Sequence, residues 1–231
     1  MRASREFVEN YYADYLAERD GIESRWARQC LKDVVGRKIL NIGCGPQLYD
    51  DAAELPITPM ELVGIDLNAS NIEFLRTSEH SHLLQSKKVL VDSGTKIEFF
   101  VHDVKVKRRD FIGRFDTIYA SGVLGMLNHE DTARILGLLI QYLRPKGRFV
   151  MVSWGDDRLT AEKFAERNQY NWYWRDGVGL DVIENLLQKT GFEILKKDTH
   201  NVANPIDYEW GIIYSIVAQK LLHTATPAIT P

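Results

Sequence analysis

Apolar positions recur along the chain in two alternating rhythms. Between residues 4 and 35, "SREFVENYYADYLAERDG" and "ESRWARQCLKDVVG" carry helical spacing, and each closes on a glycine, Gly21 and Gly36. Then the rhythm shifts. "KILNIG" reads as a strand, "LYDDAAEL" as a short helix and "ELVGIDL" as a second strand. "SNIEFLRTSEHSHLLQ" predicts a single helix with Ser70 as its cap, followed by the strands "KIEFFVHDV" and "RFDTIYASGV". "EDTARILGLLIQYLRPKG" predicts a helix closed by Pro145 and Gly147, ahead of the strand "RFVMVSW". Last come the helix "GLDVIENLLQKTG" and the strands "FEILKKDT" and "WGIIYSIVAQK".

Strands alternating with amphipathic helices imply an α/β protein: a Rossmann-like, seven-stranded, mostly parallel sheet with helices on both faces. The final two strands have no helix between them. Parallel neighbours need a crossover, so the last strand is expected to run antiparallel. Residues 1–36 then read as an N-terminal helical lid over the active site and 37–220 as the main domain. Within it, 154–178 and 199–211 read as substrate-covering insertions, and 221–231 as a disordered tail.

Composition narrows the function. A chain of 231 residues, 45% hydrophobic and 26% charged, is one soluble-type domain with a sizeable core. A net charge of −3 argues against a dedicated nucleic-acid binder. No run approaches eighteen apolar residues and the N-terminus has no apolar leader, so a cytoplasmic setting without a membrane span is expected. Cys30 and Cys44 are too few for a disulfide framework and lack zinc-ligand spacing, so reduced thiols and no metal are expected. Nothing in the sequence sets the oligomeric state.

In an open parallel sheet the ligand lies beyond the carboxyl ends of the strands, so the residues closing each strand carry the chemistry. Gly43-Cys44-Gly45-Pro46 closes the first, where glycines allow a sharp turn and leave bare backbone for a ligand. An ordinary tight turn is the simpler alternative. Asp66 closes the second, with Leu67 after it, and an acid at this distance can accept both hydroxyl hydrogens of a ribose. Capping of the next helix is the alternative role for Asp66, although Asn68 or Ser70 could serve there. Asp103 and Val104 end the third strand, where an adenine edge would lie. Ser121 and Gly122 leave a hollow after the fourth.

These segments resemble the class I S-adenosylmethionine-dependent methyltransferases over roughly residues 36–220. "ILNIGCGPQ" is similar to the family's first motif, "LVGIDLN" to its acidic strand and "FVHDV" to its adenine motif. "FDTIYASGVLGML" and "LRPKGRFVMVSW" are similar to its fourth and fifth strands. The resemblance implies S-adenosyl-L-methionine as cofactor, held by Asn41, Gly43, Cys44, Gly45, Gln47, Asp66, Leu67, Asp103, Val104, Ser121 and Gly122. Two positions depart from the motif: Asn41 stands where an acid is frequent, and Gln47 where a third glycine is. The rival is a nicotinamide-dependent oxidoreductase, which needs a glycine at 48 to seat pyrophosphate at a helix start. The chain has Leu48 there.

The resemblance implies methyl transfer to a nitrogen or oxygen of a small metabolite. Non-catalytic cofactor binding by a regulatory or partner subunit is the alternative that Asn41 and Gln47 motivate. His129 is the general-base candidate by position, with helix capping or a plain surface role as its simpler reading; His80, His82, His200 and His223 have no companions in sequence, and His102 reads as a strand residue. Tyr11, Tyr12, Tyr15, Trp154, Trp172, Trp174 and Tyr208 form the candidate substrate wall, which suits a flat ring or a cationic amine. The same rings could equally serve only to pack the lid onto the sheet.

Overall fold

The fold comes from a computed structural model, which describes residues 4–18, 28–155, 179–201 and 212–222. Seven strands form one sheet: β1 (Lys38–Ile42), β2 (Glu61–Asp66), β3 (Lys96–Val101), β4 (Phe115–Ser121), β5 (Leu143–Gly155), β6 (Phe192–Asn201) and β7 (Ile212–Lys220). Their spatial order is β3-β2-β1-β4-β5-β7-β6. Pairing is parallel from β3 through β5, whereas β7 runs antiparallel to both β5 and β6. That is the mostly parallel sheet with an antiparallel last strand implied by the missing helix between β6 and β7.

Among the described residues six α-helices cover the two faces: α1 (Arg5–Glu18), α2 (Leu48–Ala53), α3 (Ala69–Thr77), α4 (Ser81–Asp92), α5 (His129–Tyr142) and α6 (Leu180–Thr190). Side chains alternate across a strand, so each strand feeds two cores. Leu40 and Ile42 of β1 join Ile135 and Leu139 of α5 and Ile183 and Leu187 of α6 on one face. Ile39 of β1 joins Val8 and Tyr12 of α1, Leu48 of α2, Ile72 of α3 and Leu83 of α4 on the other. Among the described residues no helix is long and apolar enough to cross a membrane.

Two helix expectations need correction. The segment from Ser70 is not one helix but two: Ser78 adopts an extended conformation and ends α3, and α4 starts afresh at Ser81. The cap of α3 is Asn68, whose side chain accepts from the Ser70 amide, so Ser70 sits inside the helix. The helix before β5 ends at Tyr142, not at the proline and glycine. Leu143 already pairs with Phe115, and β5 passes through Pro145 and Gly147 with a register shift opposite Phe115 and Thr117. Proline is tolerated in a strand at such an irregularity.

Candidate functional site

Strand order reverses between β1 and β4, so the crevice for a ligand opens beyond the carboxyl ends of these strands. The loop after β1 is built for close approach. Gly43 and Gly45 have φ of 61° and 55°, the left-handed region that favours glycine. A β-carbon on Gly43 would stand 2.3 Å from Val123 Cγ2, so this glycine lets the loops after β1 and β4 meet. On the β4 side, Ser121 and Gly122 are half-buried and the Gly122 amide donates to the Val152 carbonyl at 2.8 Å.

Asp66 locks this loop to β2. The Cys44 amide donates to the Ile65 carbonyl at 3.1 Å, and the Gly45 amide donates to Asp66 Oδ2 at 2.9 Å. Asp66 Oδ2 also accepts from Asn71 Nδ2 at 3.1 Å, and Oδ1 accepts from the Asn68 amide at 2.7 Å. The carboxylate is thus satisfied from three directions while its residue is only 9% exposed. The next residue, Leu67, is 71% exposed, a large apolar side chain standing free at the strand end. Past β3, the His102 amide ties back to the Asp66 carbonyl at 2.8 Å. Asp103 Oδ1 accepts the Lys105 amide at 2.9 Å, and Val104 packs against the core. His102 follows the last residue of β3 instead of lying within it, and its Nε2 is 2.9 Å from the Val106 carbonyl.

The positions that depart from the motif have distinct surroundings. Asn41 is buried in β1, level with Gly64 of β2 and Tyr119 of β4. Gln47 precedes α2 and folds back over Gly45, so that a β-carbon there would meet its Oε1 at 2.4 Å. Gln47 Oε1 is buried without a hydrogen-bond donor, the single such side-chain atom among the described residues. A buried acceptor with no donor costs about 1–3 kcal/mol, and a ligand carrying an N–H or O–H would relieve it. Leu48 is fully buried and packs on Gly64, where a β-carbon would come within 2.7 Å of Leu48 Cδ2 and 3.0 Å of Cys44 Sγ. Close helix-to-sheet packing is therefore provided by a glycine on the strand and a leucine on the helix.

The remaining candidates are spread out. His129 is an exposed first residue of α5, beside the capping Asn128. Tyr11 is exposed, whereas Tyr12 is fully buried, packed on Phe74 and His80 with its hydroxyl donating to Asp50 Oδ2 at 2.6 Å. Tyr15 is half-buried, its hydroxyl 3.5 Å from Asp51 Oδ1. Trp154 lies in β5 opposite Ile213. Trp172, Trp174 and Tyr208 lie outside the described residues, as does most of both insertions.

A pair of acids escaped the sequence reading. Asp50 in α2 is fully buried and accepts from Tyr12, from Ser86 Oγ at 2.5 Å and lies 3.0 Å from His82 Nδ1. His82 therefore has a companion after all. Burial, then the neighbouring Asp50 and Glu54, push the Asp51 carboxyl up to about 7, against the opposing pull of Arg28 and Tyr15. Both thiols are inert by position: burial raises Cys30 to about 12 and carries Cys44 well above its ordinary value.

A family model described as a methyltransferase domain matches residues 8–197, most of the chain. The chain belongs to this methyltransferase family. No curated protein matches its sequence. Among solved structures, this methyltransferase-family chain is similar to an S-adenosylmethionine-dependent methyltransferase from Mesorhizobium loti, at 17% identity over 87% of this chain and 99% of the other, with a TM-score of 0.63. One from Methanosarcina mazei is 18% identical over 83% and 96%, with a TM-score of 0.60. A magnesium protoporphyrin IX methyltransferase from Synechocystis, solved with bound S-adenosylhomocysteine, is 15% identical over 94% and 83%, with a TM-score of 0.54. At these identities the likeness establishes the fold, and the family match sets aside the oxidoreductase alternative.

Proposed function

We propose that the chain binds S-adenosyl-L-methionine across the ends of β1, β2 and β3 and moves its methyl group to a nitrogen or oxygen of a compact, aromatic or cationic metabolite. The observation that carries the cofactor is Asp66, a buried carboxylate closing β2 and hydrogen-bonded to the Gly45 amide of the neighbouring loop. The donor set fits such a ligand. Asp66 would accept the ribose hydroxyls, the exposed Leu67 and the half-buried Val104 offer apolar surface to the adenine, and Asp103 lies at its edge. Gln47 Oε1, buried without a donor, suits the ammonium of the amino-acid end. The Synechocystis relative's bound S-adenosylhomocysteine supports the same assignment.

Bound there, the cofactor supplies a methyl group already activated on a sulfonium sulfur. The chain's own contribution is then positioning and exclusion of water. Gly43 and Gly45 let the loop after β1 turn tightly beneath Val123 and Gln47, and the half-buried Ser121 and Gly122 put no large side chain at the switch point where an acceptor atom would approach. A base is required only if the acceptor must shed a proton early, and exposed His129 is the candidate for that role. The acidic balance favours a small molecule over nucleic acid.

Titration calorimetry with S-adenosylmethionine and S-adenosylhomocysteine tests the reading. Micromolar binding of either is expected, and absence of both overturns it. A second reading, cofactor binding without transfer, draws on Asn41 and Gln47; cofactor binding with no S-adenosylhomocysteine formed across a panel of amines and phenols would favour it.

A further inference from the structure

We infer that Asn71 is an internal stand-in for a ribose hydroxyl, a side chain that the cofactor must displace from Asp66 and that therefore sets cofactor affinity. The inference rests on the cofactor reading above and follows from counting lone pairs. A carboxylate offers about four acceptor directions, two on each oxygen. In Asp66, Oδ2 already takes two donors, the Gly45 amide at 2.9 Å and Asn71 Nδ2 at 3.1 Å. Oδ1 takes one, the Asn68 amide at 2.7 Å. One direction remains, on Oδ1. A ribose diol brings two hydroxyl donors and grips a carboxylate through both oxygens, so one donor on Oδ2 must leave.

The two backbone donors are poorly placed to yield. The Asn68 amide closes a tight turn two residues from Asp66, just where α3 is capped by the Asn68 side chain. The Gly45 amide belongs to a loop fixed further by the Cys44 bond to Ile65. Asn71 holds Asp66 only by a rotatable carboxamide from the first turn of α3, and its own backbone amide is independently bonded to the Asn68 carbonyl. Turning that side chain away leaves the helix intact, and the half-buried carboxamide can find water. Asn71 is thus the donor that gives way. Binding breaks a hydrogen bond to a charged acceptor before it makes new ones, which lowers affinity by that bond's net worth.

Two variants, Asn71→Ala and Asn71→Leu, test this by titration calorimetry with S-adenosylhomocysteine, alongside melting of the ligand-free proteins. Ala removes the donor and the bulk, whereas Leu removes the donor and keeps the bulk. Both are expected to bind roughly tenfold more tightly, the worth of one hydrogen bond to a carboxylate, while their ligand-free melting temperatures fall slightly because Asp66 loses a partner. Tighter binding by Ala alone makes the effect steric and overturns the inference. Unchanged or weaker binding by both also overturns it, and would make Asn71 a positioning residue that stays on Asp66. No binding by the unaltered chain overturns the cofactor reading and this inference together.

Discussion

Asp66 and Asp50 are both buried carboxylates, and each has three hydrogen-bonding partners inside the chain. What differs is where the partners come from and what lies outside them. Asp66 closes a strand at the switch point, and two of its donors are backbone amides of flanking loops, at a rim where 9% of the residue still meets solvent. Asp50 has no exposure. Its partners are side chains from α1 and α4, Tyr12, His82 and Ser86, so it pins two helices onto α2. The same functional group, equally satisfied, serves a site in one place and an assembly of helices in the other. Access to solvent and the rank of the donors, backbone or side chain, separate the two roles.

The contrast is sharpest in what removal would do. Asp50→Ala removes the acceptor of two buried hydroxyls, those of Tyr12 and Ser86, and the partner of the half-buried His82 imidazole, and about 3–5 kcal/mol of stability should be lost. Urea denaturation reads this directly. Cofactor affinity of the remaining folded protein should be unchanged, and a large drop in affinity with little loss of stability would erase the distinction between the two acids.

Asp51 adds a pH signature to the same helix. Its carboxyl sits near 7 in the folded chain, mainly through burial, against 3.8 when exposed. The folded state therefore keeps a proton that the unfolded chain has already released between these values. Stability from this group is present at pH 4, declines as pH rises toward 7, and is flat above that. Asp51→Asn should abolish this slope and exceed the unaltered chain in stability at pH 8 by roughly 2–4 kcal/mol. Glu54, Asp50, Arg28 and Tyr15 all face the group, so the informative quantity is the variant's difference from the parent at each pH. A parallel pair of stability–pH curves would show that Asp51 is ionised in the folded state throughout.

The two acids also divide what was legible in sequence from what was not. Asp66 stands out because its neighbours along the chain declare it: an apolar strand before it, a cap after it, and a glycine loop one strand earlier. Each of the seven strands was visible for the same local reason. Asp50 has no such announcement. Its partners come from α1, far upstream, and from α4, two helices on, so "LYDDAAEL" looked like an ordinary short helix. The break at Ser78 was hidden similarly, since apolar spacing carries on across it while the backbone turns extended. Only the first part of β5, from Leu143 through Pro145 and Gly147, was hidden, because its pairing with Phe115 is a tertiary fact. Gly64 read as one more strand residue, and only in space does its missing side chain make room for Leu48 and Cys44.

Asp66→Ala gives the smallest of these effects and the most diagnostic. The orphaned Gly45 and Asn68 amides lie at a rim that water can enter once the carboxylate is gone, so the loss of stability should be well below that of Asp50→Ala. Cofactor affinity should fall by about 1–3 kcal/mol, the scale for stranding hydrogen bonds to a charged group. That corresponds to roughly fivefold to 150-fold in the dissociation constant. Calorimetric titration of S-adenosylhomocysteine into both variants makes the comparison on one axis: Asp50→Ala moves the melting curve, and Asp66→Ala moves the binding curve. An Asp66→Ala chain that binds as tightly as its parent would mean that the ribose is held elsewhere, and that the carboxylate at the end of β2 serves the loop alone.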